Sequence, residues 1–197
     1  MTVRVVVECG PWKGVARREV ERRATAMLGL LQLQESELSI VLTDDDHIHE
    51  LNKVYRAKDK PTDVLAFAMR EGEFSNLAGE LLGDVIVSIE TARRQAAARQ
   101  VDALTEVTML VAHGLLHLLG WDHDTPARDK AMRKETDRLC VAAAAVKYGP
   151  ASGALGKKGP ASGALGKNRA ASGAGRRSTP SAKVSKARRP QRREPKG

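Results

Sequence analysis

Three of the chain's five histidines fall in one short run, HGLLHLLGWDH at 113–123. His113 and His117 are four apart, so on a helix their imidazoles stand one turn apart on the same face and can reach a single cation. Gly120 follows three residues later, where a left-handed residue can end the helix, and the turn through Trp121 and Asp122 brings His123 toward the same point. Three neutral imidazoles with one position left open are the ligand set of a catalytic zinc rather than of a closed structural one. A zinc held in that way lowers the pKa of a bound water to about 7. The alternative, two partnerless core imidazoles among Leu115, Leu116, Leu118 and Leu119, would carry a large desolvation cost. The spacing therefore predicts one Zn2+ per chain, bound by His113, His117 and His123 at the C-terminal end of a buried helix.

The same spacing, H-x3-H-x2-G-x2-H, occurs in the metzincin peptidases, which place a glutamate directly after the first histidine as general base. Here that position is Gly114, which can neither take nor give a proton, so a peptidase would keep its metal and lose its base. The other two histidines, His47 and His49, are two apart, face different sides of a predicted helix and read as surface residues.

Elements able to position these groups occupy the first 148 residues. Val3, Val5 and Val7 alternate along a first strand, and Leu38, Ile40 and Leu42 mark a second. Apolar residues at helical spacing predict a helix over 15–30, and Thr43 with Asp46 forms a capping-box-like start for another through Ile48, Leu51 and Tyr55. Two β-leaning runs, 62–69 and 82–88, flank a turn-rich stretch around Gly72 and Gly79. Helices follow at about 89–100, 103–119 and 126–146, the last with Thr125 as N-cap and Pro126 in its first turn. That order predicts an α+β layer fold: a small mixed sheet of about four strands packed with five or so helices.

The charge is unevenly spread. The 197 residues carry 33 Lys+Arg and 24 Asp+Glu, a net of +9, but residues 149–197 hold 13 of the cations and a single acid, Glu194. The first 148 residues are mildly acidic and contain all six aromatic side chains. GPASGALGK at 149–157 recurs at 159–167, followed by a basic arm, so 149–197 reads as a disordered repeat and a tail that grips nucleic acid non-specifically through phosphates. The N-terminus has no secretory-leader pattern, and the mostly apolar stretch 107–121 is shorter than a membrane span. Cys9 and Cys140 fit no CxxC pattern, which points to a reducing cytoplasm.

HGLLHLLGWDHD resembles the signature of the YbeY family of bacterial metal-dependent endoribonucleases, usually HGxLHLxGYDH, with Trp121 in place of the common tyrosine. A second block agrees: Asn52, Tyr55, Arg56, Asp59, Pro61, Thr62, Asp63, Val64, Leu65 and Phe67 match N-x-x-Y-R-x-x-D-x-P-T-D-V-L-S-F, with Ala66 departing from the serine. Gly83-Asp84-Val85-Ile86-Val87 resembles a third, weaker block, and the match spans roughly residues 1–147. The resemblance implies zinc on the three histidines, an essential arginine at Arg56, and single-stranded RNA as substrate in maturation of ribosomal RNA, with the small ribosomal subunit as partner. Cleaving a phosphodiester builds charge on the phosphoryl oxygens, which a planar guanidinium can meet bidentately. If Arg56 were only a surface charge, Asp59 or Asp63 would be its partner. Asp63 can instead cap a strand or orient a ligand histidine, and Asp122 and Asp124 are as readily structural. Two other readings remain open at this point: a peptidase working without its glutamate, and a non-enzymatic ribosome-assembly factor.

Overall fold

A computed structural model of the chain describes residues 2–69 and 80–146; the turn-rich stretch around Gly72 and Gly79 and the predicted tail at 149–197 lie outside the described residues. Four strands and five helices run in the order β1 (Thr2–Val7), α1 (Arg17–Leu30), β2 (Glu37–Thr43), α2 (Asp45–Arg56), β3 (Val64–Ala68), β4 (Leu81–Ser88), α3 (Ile89–Arg99), α4 (Ala103–Leu118) and α5 (Pro126–Ala145). The sheet order is β1-β2-β4-β3. β1 pairs parallel with β2 and β2 with β4, while β3 runs antiparallel to β4 at the edge. This is the mixed α+β sheet that the alternation of elements predicts.

Strand side chains alternate between two apolar layers, as the two-residue period requires. Val5, Ile40, Val85 and Val87 face the larger layer, where Val20, Met27, Leu28, Leu110, Leu115 and Leu139 of α1, α4 and α5 cover them. Leu65 and Ile86 face the smaller layer with Ile48 of α2. The sheet therefore separates α2 from α4, and β3 lies between them with Val64, Ala66 and Ala68 turned to one side and Leu65 and Phe67 to the other. Helix α4 is apolar nearly all round because it lies inside this stack. Among the described residues, no single helix is long and apolar enough to cross a membrane.

The capping expectations divide. Thr125 caps α5 through its side chain, with Pro126 opening the helix. At α2 the cap is Asp44, whose carboxylate accepts from the His47 amide at 2.9 Å, and not Thr43. Thr43 is still part of the sheet, paired with Ser88, so it is in the ladder rather than at the helix entrance.

Candidate metal centre

The last two turns of α4 carry His113 and His117, both half-buried, with their Nε2 atoms 3.2 Å apart. The helix then ends on a Schellman motif: Gly120 adopts φ +79, its amide donates to the His117 carbonyl at 3.0 Å, and the Trp121 amide donates to the Leu116 carbonyl at 3.0 Å. A side chain at position 120 would be strained in this left-handed conformation, so glycine lets the chain reverse within one residue. The reversal brings the His123 ring to 5.7 Å from His113 and 5.2 Å from His117, centre to centre. The Asp122 carboxylate accepts from the His123 amide at 2.7 Å, which fixes the turn. One ligand atom from each of the three imidazoles lies within 4.8 Å of the other two, a grouping able to hold a metal ion.

The donor set suits that role chemically. Burial pushes the His113 imidazole below its ordinary pKa, with further help from His117 and His123. Burial does the same at His117, again with His123 adding to it. Both rings are thus held in the neutral form that offers a lone pair to a cation. Two facing Nε2 atoms and a third imidazole match the nitrogen ligands that zinc accepts.

Gly114 has a steric reason to be glycine. A Cβ built there would meet Val85 Cγ1 at 2.7 Å and Val64 Cγ2 at 3.3 Å, because α4 lies directly on β3 and β4 at this residue. The glutamate of the metzincin pattern would have to occupy that same space.

The three histidines open onto a cavity of about 690 Å3, whose lining also includes Arg56, Lys58, Lys60, Asp63, Ala66 and Trp121. Arg56 is the last residue of α2, exposed, with Nη2 3.4 Å from the Ala66 carbonyl. It pairs with neither Asp59 nor Asp63. Asp59 takes Lys53 at 2.9 Å and His49 at 2.8 Å. Asp63 accepts from the Val64 amide, from Thr62 and from Gln95, so it caps the start of β3 and holds no histidine. Asp124 pairs with Arg128 at 3.0 Å.

Asn52 shapes the cationic wall. It is buried, its side chain donates to the Lys60 carbonyl at 2.7 Å, and its own carbonyl accepts from the left-handed Ala57 and from Lys58. One residue thereby sets the loop that follows Arg56 and carries Lys58 and Lys60 along the cavity. The two lysines are not singled out by the sequence; their only signal is the K-D-K run two residues beyond Arg56. Asn52 stands in the family-like block with no part assigned to it there.

Fold and site together define a class: a small α+β protein whose buried helix and following glycine turn present three imidazoles to a cavity with a cationic wall. A family model for endoribonuclease YbeY matches residues 12–143. The chain belongs to the YbeY endoribonuclease family. It is 41% identical over 159 residues to endoribonuclease YbeY of Anaeromyxobacter sp. (strain Fw109-5), covering 78% of this chain and 81% of that protein. With the Synechocystis sp. relative of the same name it shares 44% over 135 residues, covering 66% and 74%. The solution structure of a Thermotoga maritima protein is similar at a TM-score of 0.51 and 25% identity, covering 72% of this chain and 89% of that one.

Proposed function

We propose that this chain is a zinc-dependent, single-strand-specific endoribonuclease acting in the cytoplasm on ribosomal RNA of the small subunit, in maturation and quality control. The observation that carries the reading is the meeting of three imidazoles and a guanidinium in one cavity, with Lys58 and Lys60 beside them. His113, His117 and His123 would hold the zinc, which when bound supplies a Lewis acid for phosphoryl oxygens. Arg56 binds the scissile phosphate with two parallel N–H donors and stabilises the charge that grows there. Lys58 and Lys60 attract the neighbouring phosphates as point charges. Residues 149–197 add non-specific phosphate binding. Their removal is expected to flatten the salt dependence of RNA affinity by roughly 0.7 in log–log slope for each phosphate no longer neutralised. Gly114 supplies no general base, and the crowding of its Cβ position by Val85 and Val64 disfavours a glutamate there, which argues against the peptidase reading.

Arg56→Lys tests the assignment, because it keeps the charge and removes the planar fork. Single-turnover cleavage of single-stranded RNA is expected to fall by about 10²–10³, equivalent to about 2–4 kcal/mol, with zinc content and thermal unfolding unchanged. Cleavage within about threefold of the parent protein would make Arg56 a surface charge, and loss of zinc or of folding would make it structural.

A further inference from the structure

The two tryptophans of this chain are treated differently. Trp12 is half-buried, its indole N–H donates to the Glu8 carbonyl at 3.2 Å, and the Arg93 guanidinium covers its ring at 5.6 Å. Trp121 has none of this. It is 38% exposed, and its indole makes no hydrogen bond or ring contact among the described residues. Its ring borders the cavity that holds the three histidines and also a second hollow of about 360 Å3 beside Asp122 and Arg128. The backbone beneath it is fixed by the hydrogen bond that the Trp121 amide donates to the Leu116 carbonyl, so the ring sits on a rigid turn rather than on a loose loop.

An exposed indole on a rigid support, next to cationic side chains, has the character of a stacking surface for a planar ring. Arg56, Lys58 and Lys60 supply positive charge in the same cavity, which suits a ligand that carries a phosphate and a flat apolar group together. A nucleotide of a single strand has both. In a duplex the base faces are already occupied by their neighbours, so only an unstacked base can lie on the indole.

We propose that Trp121 forms a nucleobase subsite, stacking one base of single-stranded RNA beside the phosphate held at Arg56; this rests on the endoribonuclease reading above. The subsite selects single strands because a paired base cannot reach the ring, and it is tolerant of base identity because every base presents a π face.

The test uses the full chain in a Trp12→Phe background, so that Trp121 is the sole fluorophore of its type, with zinc-free protein to prevent cleavage. The probes are an eight-nucleotide oligoadenylate and an abasic ribose-phosphate oligomer of equal length. Oligoadenylate is expected to quench the Trp121 emission and the abasic oligomer to leave it nearly unchanged. Trp121→Ala, followed by fluorescence anisotropy of a labelled probe, is expected to weaken the Kd for oligoadenylate by about 5- to 150-fold, the range of one base–aromatic stack, and Trp121→Tyr to restore most of it. Affinity for the abasic oligomer is expected to stay the same in all three proteins. Oligoadenylate that binds without quenching, or that binds Trp121→Ala as tightly as the parent, overturns the subsite. If Trp121→Ala is unfolded by thermal melt, the quenching experiment alone decides. A protein that shows base-dependent quenching but cleaves no RNA when loaded with zinc would retain the subsite and refute the endoribonuclease reading.

Discussion

The histidines of α2 and those at the end of α4 meet opposite surroundings. On α2, His49 has its Nε2 2.8 Å from Asp59, and His47 has its Nδ1 3.6 Å from Glu8, both at the surface. Near the end of α4, His113 and His117 are half-buried, face each other, and have no carboxylate within ion-pair distance among the described residues. An imidazole beside a carboxylate has a local partner in either protonation state. Two half-buried imidazoles facing each other have no such carboxylate, and their lone pairs are best used by a shared cation. The difference shows that a histidine pair becomes a metal site through what its surroundings withhold as much as through its spacing.

The comparison breaks first at the metal. Removing any one of His113, His117 and His123 by alanine is expected to strip most of the zinc, whereas His47→Ala and His49→Ala retain it near one ion per chain; elemental analysis of the five proteins decides. Near-stoichiometric zinc in a folded His123→Ala protein would remove the third ligand from the scheme.

A smaller effect is expected at the support of the α4 pair. Gly114→Ala places a methyl group 2.7 Å from Val85, so overpacking is expected to cost about 1–3 kcal/mol in urea unfolding, against the usual gain of alanine over glycine inside a helix. An equal or higher stability would show that β4 can move aside and that the helix–sheet packing does not hold the histidines in place.

The least effect belongs to α2. His49→Ala removes an exposed partner of Asp59, which still keeps Lys53, and the Tm is expected to move by less than about 2 °C. A larger drop would mean that the surface pair carries structure, and the contrast between the two groups would weaken.

Most of the metal centre is legible in the sequence because its geometry is local. His113, His117, Gly120 and His123 span about two helical turns and a reversal, and each step follows from helix periodicity or from the φ that glycine permits. The α5 cap at Thr125 is legible for the same reason. Thr43 misleads because whether a residue ends a strand or starts a helix depends on the neighbouring strand, here Ser88, which lies 45 residues away. The alternative partners of Arg56, Asp59 and Asp63, cannot be weighed from the sequence, because they are claimed by Lys53, His49 and Gln95. Asp45 shows the limit most clearly. Burial raises the pKa of its carboxyl, but hydrogen bonds from Ser88, Thr91 and Arg94 outweigh that and hold it below the ordinary range. All three partners come from the β4–α3 region, and no pattern near residue 45 announces them.

The bonds of Asn52 have a consequence for the timing of entropy loss. Confining one residue's backbone costs about 1–2 kcal/mol of conformational entropy. Because a single buried amide ties Lys60 back to α2, while the Asn52 carbonyl holds Ala57 and Lys58, the segment from Arg56 to Lys60 meets that cost when the chain folds. A polyanion arriving at the cavity then meets cations whose backbone is already in position, and little of its attraction is consumed in ordering the wall that receives it.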